Sequence, residues 1–302
     1  MSPWSMVMFR AMGSPCRILA PTHDFARYGQ ELVLELEATW SRFDPASEIS
    51  GVNDHAGKLS IVSAVTYELV ALAQHARMAT DGSFNPLMLD QLVALGYDRT
   101  WDSLPERGGP MPSPASGSGD AIELYPEISA IRLPADTRFD PGGIGKGMAG
   151  DMVAAALLDV GAESVQIELG GDVRLAGPSW TGGPWQVQLD DSDHGVPNPA
   201  RISLTEGGVA TSSVVRRRWR RGGVDVHHLI DARTGLPAST DLDSVTAVAP
   251  TLWWAEVVAK SAVIAGSRRA RTLLEEVGVT GVLVGQDASN RYEVVQRNTI
   301  AA

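Results

Sequence analysis

The chain has 302 residues, of which 44% are apolar and 20% charged, so it can build a packed core and is not a disordered chain. Its 36 acidic and 25 basic residues give a formal net charge of -11, which argues against a nucleic-acid binder needing a basic face for phosphates. A single cysteine, Cys16, excludes an internal disulfide, a cysteine zinc site and an iron–sulfur cluster.

In chain order, Asp24 to Phe43 reads as a helix, with Leu32, Leu36 and Trp40 at four-residue steps and Asp24 as its expected cap. Ala64 to Thr80 reads as a second helix, closed by Asp81-Gly82. Residues 102–120 are crowded with Pro, Gly and Ser and read as a flexible loop, not a domain boundary. Short strands are expected at Ile122–Leu124 and Ala130–Leu133. Lys146 to Val160 is Ala/Leu-rich and stops at Gly161, as a helix should. Strands are expected at Ser164–Leu169, Trp185–Leu189, Val224–Ile230 and Ser244–Ala249. Helices follow at Leu252–Ala265 and Arg268–Val277, then a strand at Val279–Val284. Helices and strands mix without a βαβ alternation, so the expected class is α+β. No segment holds the ~18 consecutive apolar residues of a membrane helix. Met1 to Ala20 lacks a secretory pattern and Met12–Cys16 interrupts its apolar run, so a cytoplasmic protein is expected.

Four segments carry possible chemistry. Phe139-Asp140-Pro141-Gly142-Gly143-Ile144-Gly145-Lys146-Gly147 opens into a helix, where glycines admit a close ligand and free N–H groups favour an anion. It is neither a Walker A loop nor Gly-x-Gly-x-x-Gly, and a plain helix-entry turn stands at even odds. Glu168-Leu169-Gly170-Gly171-Asp172 can set a carboxylate against a ligand, although by itself it reads better as a tight turn. His227-His228-Leu229-Ile230-Asp231-Ala232-Arg233 places a general-base candidate on a strand, with His228 and Ile230 on one face. A lone strand histidine is more often structural. Glu256 and Lys260 are spaced i, i+4, which reads first as an ordinary helix salt bridge. The run Arg216–Arg221 reads as a solvated edge strand or loop and could equally bind an acidic partner segment or an adenine nucleotide. The acidic loop Asp190–His194 reads as surface, and the tryptophans at 180, 185, 253 and 254 as core and rim aromatics. Of the basic residues only Lys58, Lys146 and Lys260 are lysines. Lys58 reads as part of a solvated loop.

Taken in order, these segments resemble the ApbE family of FAD:protein FMN transferases. The likeness runs through Met12-Gly13-Ser14, Trp40–Ser50 with Asn53, Thr80–Pro86, Lys146–Asp151, Glu168–Asp172, Ala210-Thr211-Ser212 and His228–Pro237. It implies one domain over 5–295, with FAD held between two α+β parts. It also implies transfer of FMN from FAD to a Thr or Ser hydroxyl of a target flavoprotein, with release of AMP. Hydrolysis of FAD to FMN and AMP, or FAD binding without catalysis, are the alternatives. Carried over by position, His228 is the expected base. Met12, Ser47, Glu48, Gly82, Phe84, Lys146, Asp151, Gly171, Asp172, Arg233 and Lys260 are the expected cofactor neighbours.

The resemblance further implies magnesium, with Gly145 and Glu256 as the corresponding ligand positions. Here the chain departs. Where the family reads Ala-Asp-Ala-Leu-Ala-Thr, this sequence has Ala255-Glu256-Val257-Val258-Ala259-Lys260, and a protonated lysine cannot ligate a metal. The expectation is that the Lys260 ammonium, held by Glu256, stands in the metal's place. Asn85 replaces a usual Asp, and Ser213-Val214-Val215 stands where Gly and Tyr are common.

Overall fold

The computed structural model describes residues 4–100, 110–113, 115, 119, 121–189, 201–286 and 292–295. Most of the 102–120 loop and all of Asp190–His194 lie outside them.

The first two strands, β1 (Ser5–Ala11) and β2 (Ser14–Ala20), pair in register from Ser5↔Ala20 to Ala11↔Ser14. The Met12-Gly13 break therefore does not interrupt structure. It is a two-residue hairpin turn with both φ positive, 51° and 65°, the handedness that matches strand twist. Helix α1 (His23–Trp40) starts one residue earlier than its sequence pattern, because Thr22 rather than Asp24 accepts the Phe25 N–H. Helices α2 (Glu48–Asp54) and α3 (Ala64–Ala79) are capped by Ser47 and Ser63, with β3 (Ser60–Ile61) between them. A short α4 (Leu89–Ala94), β4 (Glu123–Tyr125) and β5 (Ala130–Arg132) complete this half.

Helix α5 (Gly145–Asp159) leads into the hairpin β6 (Val165–Leu169) and β7 (Asp172–Ala176). The strands β8 (Trp185–Gln188), β9 (Arg201–Leu204) and β10 (Gly207–Ser213) follow. Next comes the hairpin β11 (Arg218–Arg221) and β12 (Val224–His227). The sequence pattern for one strand over Val224–Ile230 is not realised. The strand stops at His227, and β13 (Ile230–Asp231) pairs separately with β14 (Leu236–Pro237). The chain closes with β15 (Leu242–Ala249), α6 (Leu252–Ala265), α7 (Ser267–Glu276), β16 (Thr280–Gly285) and β17 (Tyr292–Val295).

One antiparallel sheet of eight strands, ordered β1-β2-β6-β7-β10-β15-β16-β17, organises the molecule. Helices α1, α5 and α6 pack against it in turn, α1 on β1 and β2, α5 on β6 and β7, α6 on β10 and β15. The period-two pleat then decides which side chains face them. On β7, Asp172 and Arg174 point to α5, while Val173 and Leu175 turn to the opposite side and pack with Trp185 of β8. A separate small core joins Met88, Leu92 and Leu95 around α4 to Trp219, Val226 and Ile230. The Trp219 indole also donates to the Leu95 carbonyl at 2.8 Å. This core fixes the β11–β12 hairpin, and with it the residues at either end.

Helix α6 approaches α5 and β10 so closely that only glycine fits at the contacts. A Cβ on Gly147 would lie 2.4 Å from the Trp253 Cα, and one on Gly208 2.4 Å from the Leu252 Cα. Backbone on both sides cannot yield as a side chain can. Either Gly147→Ala or Gly208→Ala is therefore expected to lower stability by about 3 kcal/mol in denaturant melts. A loss near zero would show that the two backbones are free to part.

Candidate functional site

The site gathers where the first turn of α5, the β6–β7 turn and the second turn of α6 converge. Gly170 and Gly171 take positive φ, 65° and 93°, and so turn β6 into β7 in two residues. A side chain at 170 would also strike Ser14, whose Oγ lies 2.8 Å from a notional Cβ. This turn aims Asp172 at Lys146. The Lys146 ammonium donates to Asp172 Oδ2 and to Glu256 Oε1, the latter at 2.6 Å. Each carboxylate uses its second oxygen on backbone, Asp172 on the Thr211 N–H at 3.0 Å and Glu256 on the Gly147 N–H at 2.8 Å. Burial disfavours all three charges, and pushes the Asp172 pKa up. For Lys146 the two carboxylates outweigh burial and raise its pKa, while Lys146 in turn holds Glu256 below the usual carboxylate range.

Glu256 is thus held by Lys146 and not by Lys260, which corrects the pairing expected from their i, i+4 spacing. Lys260 instead reaches across to the turn Pro141–Gly143 and donates to the Gly142 carbonyl at 3.1 Å. A Cβ on Gly143 would lie 2.8 Å from Lys260 Nζ and 2.7 Å from the Phe84 ring, so the ammonium fills the hollow that this glycine leaves. Burial draws the Lys260 pKa below the ordinary ammonium value.

His228 stands beside Lys260, at the break between β12 and β13. The break is what turns it inward. Leu229 N donates to His227 Nδ1 at 3.3 Å, while His227 Nε2 lies 3.2 Å from the Ala238 carbonyl, folding the chain back on itself. His228 Nδ1 is buried and has no hydrogen-bond partner among the described residues. Burial first, then Arg217 and Lys260, depress its pKa well below the usual imidazole value, so the ring is neutral at pH 7. Arg217 comes from the run Arg216–Arg221, whose other arginines at 218, 220 and 221 lie in β11. Its backbone sits at φ 50°, a left-handed conformation that costs a non-glycine residue energy, and its guanidinium donates to Ser14 Oγ at 3.0 Å.

Two cavities meet at these residues. A polar one of about 440 Å³ is lined by Arg17, Gly170, Gly171, Asp172, Thr211 and Thr246 among others. A smaller one of about 170 Å³ is lined by Met12, Trp40, Phe43, Tyr97 and Gly145. Both share Gly142, Lys146, Arg217, His228 and Lys260. Arg42 holds the rim of the smaller cavity. It pairs with Asp140 at 3.2 Å and lies over the Phe43 and Tyr97 rings, 4.2 and 4.8 Å from their centroids.

The remaining expected residues fall elsewhere. Asp151 accepts the Leu252 and Trp253 N–H groups at 3.0 and 2.9 Å and pairs with Arg174, so it caps α6 outside both cavities. Ser47 caps α2, and Glu48 is bound to Ser63. Gly82 forms the turn after α3, with φ 72°. Arg233 is exposed and forked onto its neighbour Asp231. Arg217 is not distinguished by sequence within the arginine run that holds it, and Arg42 lies in a stretch that reads as helix end.

The residues present do not fit a magnesium site. Both Glu256 oxygens are engaged, Lys260 fills the hollow beside the Gly142 carbonyl, and among the described residues no group of three His, Cys, Asp or Glu is arranged for a cation. An oxygen-rich ligand set, which magnesium requires, is not formed here.

The fold and site define an α+β protein with a cation-lined waist between an aromatic and a polar cavity. The sequence profile of the ApbE family matches residues 12–283, and the chain belongs to that family. It is 29% identical over 281 residues to the FAD:protein FMN transferase of Treponema pallidum, covering 85% of this chain and 74% of that protein. It is 30% identical to a Klebsiella pneumoniae protein of the same name over 247 residues, 78% of this chain and 75% of the relative. The crystal structure of the ApbE protein of Thermotoga maritima superposes with a TM-score of 0.85 at 25% identity, covering 98% of this chain and 97% of that one.

Removing the Lys146 charge leaves two buried carboxylates facing each other. Lys146→Met is expected to cost about 3–5 kcal/mol at neutral pH. The deficit should shrink on acidification, because a buried carboxyl with a raised pKa takes up a proton and loses its desolvation penalty. Denaturant melts of parent and variant at about pH 8 and about pH 5 read this directly. A deficit that stays constant would mean that the carboxylates are not the cause.

Proposed function

We propose that the chain is an FAD:protein FMN transferase and that the two cavities take the two halves of FAD. The observation that carries this reading is the shared waist. A dinucleotide has a ring system at each end and a pyrophosphate between them. The aromatic lobe with Met12, Phe43 and Tyr97 suits the isoalloxazine, the polar lobe suits the AMP half, and Lys260 and Arg217 face the phosphates. The names of the relatives agree with it.

In the reaction an acceptor hydroxyl oxygen attacks the FMN-side phosphorus. The bond from that phosphorus to the bridging oxygen breaks, AMP leaves with the electron pair, and the hydroxyl proton passes to a base. The acceptor is a Thr or Ser of a target flavoprotein. His228 fits the base because it is neutral, free at Nδ1 and set at the waist. Positive charge at the waist offsets the charge that gathers on the phosphate oxygens.

The test is incubation of the pure protein with FAD, with and without a candidate acceptor flavoprotein. AMP release that depends on the acceptor supports transfer. AMP with free FMN and no acceptor indicates hydrolysis instead, and intact bound FAD indicates a binder only. His228→Asn should lower turnover by about 10²–10⁴-fold while FAD still binds. Because the His228 pKa is depressed, the acid limb of kcat/KM should lie below the ordinary imidazole range, activity persisting at about pH 6 and falling only under it. A limb above about pH 7 would exclude His228 as that base.

A further inference from the structure

Resting on that reading, we infer that Lys260 and Arg217 replace a divalent metal at the waist, so that this chain binds FAD without magnesium. Three observations carry the inference. First, the Lys146 charge is already offset, since two of its three N–H donors go to Asp172 and Glu256. Second, Lys260 and Arg217 line both cavities, and among the described residues neither makes an ion pair with a carboxylate. Among those residues their direct hydrogen-bond partners are neutral, the Gly142 carbonyl and the Ser14 hydroxyl. Third, the position a cation would take beside the Gly142–Gly143 turn holds the Lys260 ammonium. A divalent ion placed there would meet an ammonium at contact distance, a guanidinium nearby and no free carboxylate oxygen of Glu256.

The two side chains do different work. Lys260 brings a compact charge to the turn at the mouth of α5, and its hydrogen bond to Gly142 fixes where that charge stands. Arg217 enters from the opposite wall, on the β11 side, with its left-handed backbone and Ser14 fixing its direction. A guanidinium presents a planar fork of donors matched to phosphate oxygens, which a metal ion with its water shell would otherwise supply. The phosphates are thereby gripped from two sides by groups that the chain itself carries.

The test uses the full chain and FAD as probe, with affinity read by quenching of flavin fluorescence and by calorimetry, in EDTA and in millimolar magnesium. Parent affinity is expected to be the same in both within about twofold. Lys260→Met and Arg217→Met should each weaken FAD binding about tenfold or more in EDTA, as loss of a charge-assisted hydrogen bond requires. Lys260→Arg should retain most of the affinity, and circular dichroism melts establish that each variant is folded. Loss of parent binding in EDTA with recovery in magnesium overturns the inference. So does a folded Lys260→Met that binds FAD as tightly as the parent. FAD held in EDTA with no AMP released in the presence of any acceptor supports the inference while overturning the transferase reading.

Discussion

The structure depends on one buried ammonium. Lys146 stands between Asp172 and Glu256, and through those carboxylates it ties the first turn of α5 to β7, β10 and α6. Two carboxylates converging in a dry interior repel each other and lack solvation, and the lysine offsets both. With it, each oxygen finds a donor. The triad is rigid because two of its four hydrogen bonds to carboxylates come from backbone N–H groups and the other two from Lys146, rooted in the first turn of α5. It borders the cleft with its lysine charge already offset by the two carboxylates.

The surrounding packing exists to permit that convergence. Gly147 and Gly208 let the α6 backbone touch α5 and β10, and Asp151 caps the α6 N-terminus from α5, so the helix cannot slide or rotate. Glu256 and Lys260 then leave α6 one turn apart and diverge, Glu256 to the triad and Lys260 to the Gly142 turn. On the other side, the small core around Trp219 fixes the β11–β12 hairpin, which presents Arg217 before its first strand and His228 just after its second. Charge from three elements is thus set around one point by glycine contacts and a tryptophan anchor.

Sequence reading recovers the elements whose patterns are local. Helix α6 is matched at both ends, and α5 within a residue, because Ala-rich runs closed by glycine carry their own boundaries. The N-terminal hairpin is missed because Met12-Gly13 reads as an interruption until the partner strand is known. One strand is expected over Val224–Ile230 because alternation continues through it, yet tertiary contacts of His227 break it. The lysines at 146 and 260 stand out in a chain where arginine dominates. Which carboxylate each one meets is not a local matter: Glu256 is four residues from Lys260 but bonds a lysine 110 residues away. Arg217 cannot be told from its neighbours in an arginine run, since only the fold separates Arg216 and Arg217, which line the cleft, from those that lie in a strand. Asp151 and Arg233, placed near the nucleotide by resemblance, turn out to hold a helix end and a surface turn.

The order of strands in the sheet has a consequence for how the chain is made. β2 pairs with β6, so residues near Cys16 wait for partners near Leu169. During synthesis the first hairpin emerges with an open hydrogen-bonding edge, and about half of the protein must follow before that edge can be covered. Contacts this distant along the chain close slowly and leave an unpaired strand exposed meanwhile. The same hairpin carries Met12 and Ser14 to the cleft, where Ser14 receives Arg217 from still later in the chain. The cleft is therefore among the last parts of the molecule to exist, and a nascent chain released early would carry an adhesive edge with no cleft to show for it.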